Sequence, residues 1–132
     1  MSPTTASGPA RAAFLGNAPA QIDQVYGAGR RQRLAGLVEL YETVVSQDAL
    51  PAHRERLRHV EAVFSTWGMP CLGPKELEAL PAVRAVFYAA GSVRAFARPL
   101  LERGLTVVSA WGANAVPVAE FCLAQIVLSC KG

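Results

Sequence analysis

Charge is scarce in this chain. Only 17% of its 132 residues are Asp, Glu, Lys or Arg, against about 25% in an average globular domain. With 52% apolar residues, this excludes intrinsic disorder, which needs low hydrophobicity and high charge. The net charge of +3 is too small for a nucleic-acid interface, which requires a clustered basic face. Cysteine is sparse as well. Cys71, Cys122 and Cys130 cannot all pair within one chain, so a disulfide scaffold is excluded and a reducing, cytoplasmic setting is expected. The only histidines, His53 and His59, have no cysteine near them at zinc spacing, so no metal site is expected. The N-terminus has no basic segment followed by an apolar one, so it is not a secretory signal. Its Ser, Thr, Pro, Gly and Ala content reads as a disordered leader over residues 1–10. The most apolar stretch, Val116 to Cys130, is interrupted by Pro117, Glu120 and Gln125. It is shorter than the ~20 residues a membrane span needs, so no membrane partner is expected.

Common catalytic signatures are missing too. There is no G-x-x-x-x-G-K-[ST] and no G-x-S-x-G. Tyr26-Gly-Ala-Gly-Arg30 contains G-x-G, but Gln32 occupies the place of the third glycine and the run lies inside a helical pattern. It is not a dinucleotide fingerprint. The arginines at 30, 31, 33, 54, 56 and 58 and both histidines read as solvated helix faces, and Cys122 and Cys130 as buried small hydrophobes. No nucleophile stands beside an obvious base, so no catalytic residue is assigned.

What is present is an alternation. Short apolar runs at Arg11–Gly16, Val38–Ser46, Val60–Thr66, Val83–Ala89 and Leu105–Trp111 have the composition of strands. Between them lie helical segments at Gln21–Leu37, Pro51–His59, Pro74–Leu80 and Ser92–Arg103, the last closed by Gly104. A long apolar helix begins at Val116. Strands alternating with helices imply right-handed βαβ units. The expected fold is α/β: a flavodoxin-like open parallel sheet of about five strands with flanking helices. In such sheets ligands bind beyond the carboxyl ends of the strands. The residues there are Gly16-Asn17-Ala18-Pro19, Thr66-Trp67-Gly68, Ala90-Gly91-Ser92 and Gly112-Ala113-Asn114. The last two precede expected helices, where free backbone N–H groups attract carboxylates or phosphates. Ordinary strand-to-helix turns use the same residue types.

Two runs carry a resemblance. The first is Leu80-Pro-Ala-Val-Arg-Ala-Val-Phe-Tyr-Ala-Ala-Gly-Ser-Val-Arg94. The second runs from Leu101 to Glu120 and holds Gly104, Leu105, Val107, Asn114 and Val118-Ala119-Glu120 in order. Together they resemble the D-isomer-specific 2-hydroxyacid dehydrogenases, and the similarity extends more loosely over residues 11–132. It implies a flavodoxin-like substrate domain over residues 11–115. Residues 116–132 would begin a crossover helix toward a Rossmann domain that binds NAD or NADP. That domain's G-x-G-x-x-G and the family's catalytic Arg, Glu and His are absent from these residues, so no cofactor is expected to bind this chain alone. The resemblance places a substrate carboxylate, that of a small 2-hydroxy or 2-oxo acid, on the Gly91-Ser92 turn. Asn114 would stand at the mouth of the cleft, Trp67-Gly68 in a loop over the substrate and Val118 on the nicotinamide side. Where the family has Gly-Val-Asp, this chain has Ser92-Val93-Arg94.

The helix from Val116 is apolar on all sides, and such a helix must be buried on all sides. The cover could be the rest of an enzyme, another subunit or a membrane, and the resemblance implies one of the first two, a second copy or a homologue being the other subunit. Three functional readings follow. The chain is the substrate-domain fragment of an NAD(P)-dependent oxidoreductase acting on the CH–OH group of 2-hydroxy acids, inactive alone. Alternatively it is a stand-alone module that binds or senses a small carboxylate, or a subunit that pairs with a full-length homologue.

Overall fold

A computed structural model describes residues 8–132. Residues 1–7 of the expected leader lie outside the described residues. Five strands form a single all-parallel sheet. They are β1 (Arg11–Leu15), β2 (Glu39–Val45), β3 (Ala62–Ser65), β4 (Ala85–Tyr88) and β5 (Thr106–Ser109). Their spatial order is β2-β1-β3-β4-β5, the flavodoxin-like order. Six helices connect and follow them: α1 (Pro19–Tyr26), α2 (Arg30–Ala35), α3 (Leu50–Leu57), α4 (Pro74–Leu77), α5 (Ala97–Glu102) and α6 (Trp111–Lys131).

Parallel strands are buried on both faces, so they are apolar in consecutive positions rather than alternately. In β1, Ala12, Ala13, Phe14 and Leu15 are all buried. Successive side chains point to opposite faces. On one face Ala13, Leu15, Val63 and Val86 pack with Leu50 and Leu57 of α3, Leu77 of α4 and Leu100 of α5. On the other, Phe14 packs with Ile22 and Tyr26 of α1, with Phe64 and Leu34 against them. Cover on this second face thins toward the β5 edge, where Phe87 is 37% exposed and Val108 45%.

Three helices differ from expectation. The segment 21–37 divides into α1 and α2 at Gly27-Ala28-Gly29. There Ala28 and Gly29 adopt positive φ angles of 51° and 82°, a left-handed turn that ends a helix. The helix expected from Ser92 begins only at Ala97. Pro99 supplies the reason. Starting at Ser92 would put its ring in the helix interior, against the carbonyl of Ala95. Starting at Ala97 puts it in the first turn, where no N–H is needed. The last helix begins at Trp111, five residues early, and takes Pro117 inside it.

Polar bonds join the carboxyl ends of adjacent strands. Ser65 and Thr66, both fully buried, end β3. The Ser65 hydroxyl donates to the Leu15 carbonyl at 2.6 Å and that of Thr66 to the Ala89 carbonyl at 3.2 Å. The Ser109 hydroxyl donates to the Ala90 carbonyl at 3.1 Å. Asn17 accepts the Gln47 N–H at 2.9 Å. Tyr26 adds a tie from α1, its hydroxyl donating to the Ser65 carbonyl at 3.0 Å.

Burial pushes the Tyr26 hydroxyl from an ordinary pKa of 10.0 up to about 12. The unfolded phenol therefore ionises first. The stability this group contributes is complete below pH 10 and is lost as pH rises through about 12. Urea unfolding measured across that window is expected to show falling stability, with a shallower fall in Tyr26→Phe. An unchanged slope in the variant would show that other groups govern alkaline unfolding.

Candidate functional site at the carboxyl edge of the sheet

The Gly91-Ser92 turn leaves β4 beside the first turn of α6. A Cβ placed on Gly91 would lie 3.0 Å from the Asn114 side-chain nitrogen. The two sequence-predicted positions are therefore neighbours, although 23 residues of chain separate them. Ser109 at the end of β5 holds the turn, its hydroxyl donating to the carbonyls of both Ala90 and Gly91. Gly91 and Asn114 are half-buried, and Ser92 is exposed.

Gly91-Ser92 does not lead straight into a helix, contrary to expectation. Val93 to Phe96 intervene before α5. Ser92 instead turns the chain, its hydroxyl accepting the Arg94 N–H at 3.4 Å, a local bond that competes with helix formation. The N–H groups of Gly91 and Ser92 donate to no backbone carbonyl among the described residues. In α6 the first intrahelical bond of this kind runs from the Asn114 N–H to the Ala110 carbonyl at 2.9 Å. The N–H groups of Trp111, Gly112 and Ala113 precede it and have no partner within the helix. Unpaired donors of the β4 turn and of the first turn of α6 thus lie along one stretch of sheet edge. The nearest cation in the sequence, Arg94, is exposed.

Trp67 and Gly68 sit one strand away. Gly68, at φ 80°, is locked to the loop after β1. Its carbonyl accepts the Asn17 N–H at 2.9 Å, and a Cβ here would lie 3.3 Å from the Gln21 side-chain oxygen. The crevice between β1 and β3, where the strand order reverses, is closed by these contacts. Thr66 is bonded to Ala89, so the Trp67 loop and the β4 turn run side by side, with Trp67 45% exposed. Val118 lies one helical turn beyond Asn114 and is exposed.

A depression of about 1010 Å³ is at the other end of the sheet, between β2 and α3. Its charged lining is largely partnered. Arg11 pairs with Glu39 at 3.0 Å, and Arg56 lies 5.8 Å over the Tyr41 ring. His53 shares a 2.7 Å hydrogen bond with the Tyr41 hydroxyl. His53 is thus not a purely solvent-facing residue, and Tyr41 holds it from a neighbouring strand. Arg31 also departs from a solvated helix face, since it stacks 4.8 Å over Phe14 and pairs with Asp23 at 2.9 Å. Cys122 and Cys130 are exposed rather than buried, because no described residue covers α6, and Cys71 is exposed as well. Among the described residues no three His, Cys, Asp or Glu side chains are placed to share a metal ion. Ser109 and Gln47 were not singled out by sequence, and Asn17 was named only as part of the turn after β1. The one available signal was a polar residue next to an apolar strand's end.

No protein-family model and no curated protein sequence matches this chain. The dehydrogenase resemblance therefore rests on the motifs quoted above.

Gly91→Ala is expected to displace the Asn114 carboxamide and to cost about 1 kcal/mol, at the low end for inserting a methyl into a packed contact. In an Asn114→Ala background the same change is expected to be nearly neutral. A double-mutant cycle by urea unfolding reads the coupling. Additive effects would mean that the two residues do not touch.

Proposed function

We propose that this chain is the substrate-binding domain of an NAD(P)-dependent oxidoreductase acting on the CH–OH group of 2-hydroxy acids. The observation that carries the proposal is the placement of Asn114 against Gly91. The two dehydrogenase-like runs, distant in sequence, meet beyond the carboxyl ends of β4 and β5, two strands away from the point where the strand order reverses. A small carboxylate would accept hydrogen bonds from the Gly91 and Ser92 N–H groups, the donor arrangement of an anion-binding nest. The Asn114 carboxamide would orient the acid's hydroxyl or keto oxygen. Ser109 positions the turn by holding the Gly91 carbonyl. Trp67 on the adjacent loop offers an apolar wall.

The residues here do not fit a dinucleotide. Gly27 and Gly29 join two helices instead of following a strand. A Cβ on Gly27 would meet the Asp23 carbonyl at 2.5 Å, so this glycine serves helix-end packing. Val118 is the single position that the resemblance assigns to the nicotinamide. The chain's own contribution is thus to bind and orient the acid, and hydride transfer requires a nicotinamide held by a glycine-rich domain. A stand-alone carboxylate-binding module is the second reading. It is favoured by the same turn, which needs no other domain to present its N–H groups.

Pyruvate or glyoxylate titrated into the labelled protein is expected to move the Gly91 and Ser92 amide signals with an affinity of about millimolar, near −4 kcal/mol. Gly91→Pro removes one N–H and fixes φ, and is expected to abolish the shifts. Movement elsewhere with Gly91 and Ser92 still would refute the site. A second titration, of NADH followed by fluorescence, is expected to show no micromolar binding. Saturation in that range would overturn the conclusion that these residues do not fit a dinucleotide.

A further inference from the structure

The depression between β2 and α3, about 1010 Å³ in volume, has its own chemistry. Arg11 and Glu39, which begin β1 and β2, and Val60, which precedes β3, place it at the amino ends of the strands.

Its charges do not all cancel. Arg11 on β1 pairs with Glu39 on β2 at 3.0 Å, and Glu55 on α3 pairs with Arg58 at 3.4 Å. Tyr41 and Val45 pack in the cluster under α3, and Leu40 and Val44 in the opposite one. Strand alternation therefore puts Glu42 on the face away from α3. His53, Arg56 and His59 remain. Among the described residues no carboxylate pairs with any of them.

These groups are aimed. His53 and Arg56 stand three residues apart on α3 and so share a face. Arg56 lies 5.8 Å over the Tyr41 ring, a cation–π contact that holds the guanidinium at the depression and leaves its N–H groups to an incoming acceptor. A helix's carboxyl end draws cations, and Arg54 and Arg58 stand there as well. Arg56 is turned to the strand instead. The Tyr41 hydroxyl lies 2.7 Å from His53 Nδ1, and both residues are half-buried. When the hydroxyl donates to Nδ1, the imidazole proton sits on Nε2, which then serves as a donor. His59 lines the same depression.

We propose that Arg56, His53 and His59 bind the phosphate group of a small soluble molecule in this depression, with Tyr41 positioning the His53 imidazole.

The donor set favours phosphate over a monocarboxylate. One guanidinium fork already satisfies a carboxylate, whereas a phosphate monoester carries about −1.5 to −2 charges near neutral pH and has three strong acceptor oxygens. Two imidazoles beside the guanidinium match that surplus. The site lies at the opposite end of the sheet from Gly91 and rests on no part of the oxidoreductase reading.

The test titrates the whole isotope-labelled chain with inorganic phosphate, sulfate and acetate. The amide signals of His53, Arg56 and His59 are expected to move and to saturate at about millimolar phosphate, with acetate about tenfold weaker. Sulfate, whose charge is constant near neutrality, is expected to bind more tightly as pH falls from about 8 to about 6, because imidazoles gain protons there. Arg56 is exposed, so its variants leave the core intact. Arg56→Gln is expected to weaken phosphate about tenfold, and Arg56→Lys to recover part of the loss. Tyr41→Phe keeps the ring under Arg56 and removes the hydroxyl. It is expected to weaken phosphate about threefold and to move the His53 ring-nitrogen signals away from the Nε2–H form, which a merely structural role would not do. Unchanged affinity in Arg56→Gln, acetate as tight as phosphate, or sulfate binding indifferent to pH would each overturn the proposal. So would equal movement of the Arg30, Arg33 and Arg94 signals, the mark of general screening, or binding to phosphatidic acid vesicles with no response to soluble phosphate.

Discussion

The structure depends on one constraint, that a parallel sheet must be dry on both faces. Its strands are therefore apolar at consecutive positions, as Ala12 to Leu15 show. Each must also be followed by a segment that returns over one face or the other. α3, α4 and α5 satisfy the first face, and α1 with α2 satisfies half of the second. The remaining half ends at Phe87 and Val108. Unpaired polar groups are equally costly in this layout, which explains why the only fully buried polar residues described, Ser65 and Thr66, both bond backbone carbonyls at strand ends.

Those bonds give the carboxyl edge its order. β3 is tied to β1 and β4 through two successive hydroxyls, β5 to β4 through Ser109, and the loops after β1 and β2 to each other through Asn17. The candidate site is therefore set on strand ends rather than on free loops, which suits a site that positions a small ligand. The Asn17 N–H bond to the Gly68 carbonyl bridges the loops after β1 and β3, and the open donors lie between β4 and α6.

Much of the fold was legible because apolar runs and turn residues alternate so regularly. All five strands stand within the ranges read from sequence, β1 shortened at its carboxyl end and the others at both ends. The helix boundaries were less legible where a single residue decides them. Pro99 moves α5 to Ala97, and the turn at Ala28 and Gly29 divides α1 from α2. Residues whose state depends on a distant partner were not legible. His53 finds Tyr41 on a neighbouring strand, and Arg31 finds Phe14. Cys122 and Cys130 sit on a helix whose apolar pattern implies cover that the described residues do not supply. At the site, Gly91, Ser92 and Asn114 were recognisable by motif. The contact between Gly91 and Asn114, and the part played by Ser109, required the register of β4 against β5.

The single-residue joint at Ala110 ties the direction of α6 to the site itself. With no slack between strand and helix, a tilt of about 10° at Ala110 moves the far end by about 5 Å over a 31 Å lever. In reverse, whatever grips the far end fixes the angle at which Asn114 meets Gly91. The geometry of a turn two residues long is thus set by forces applied six helical turns away.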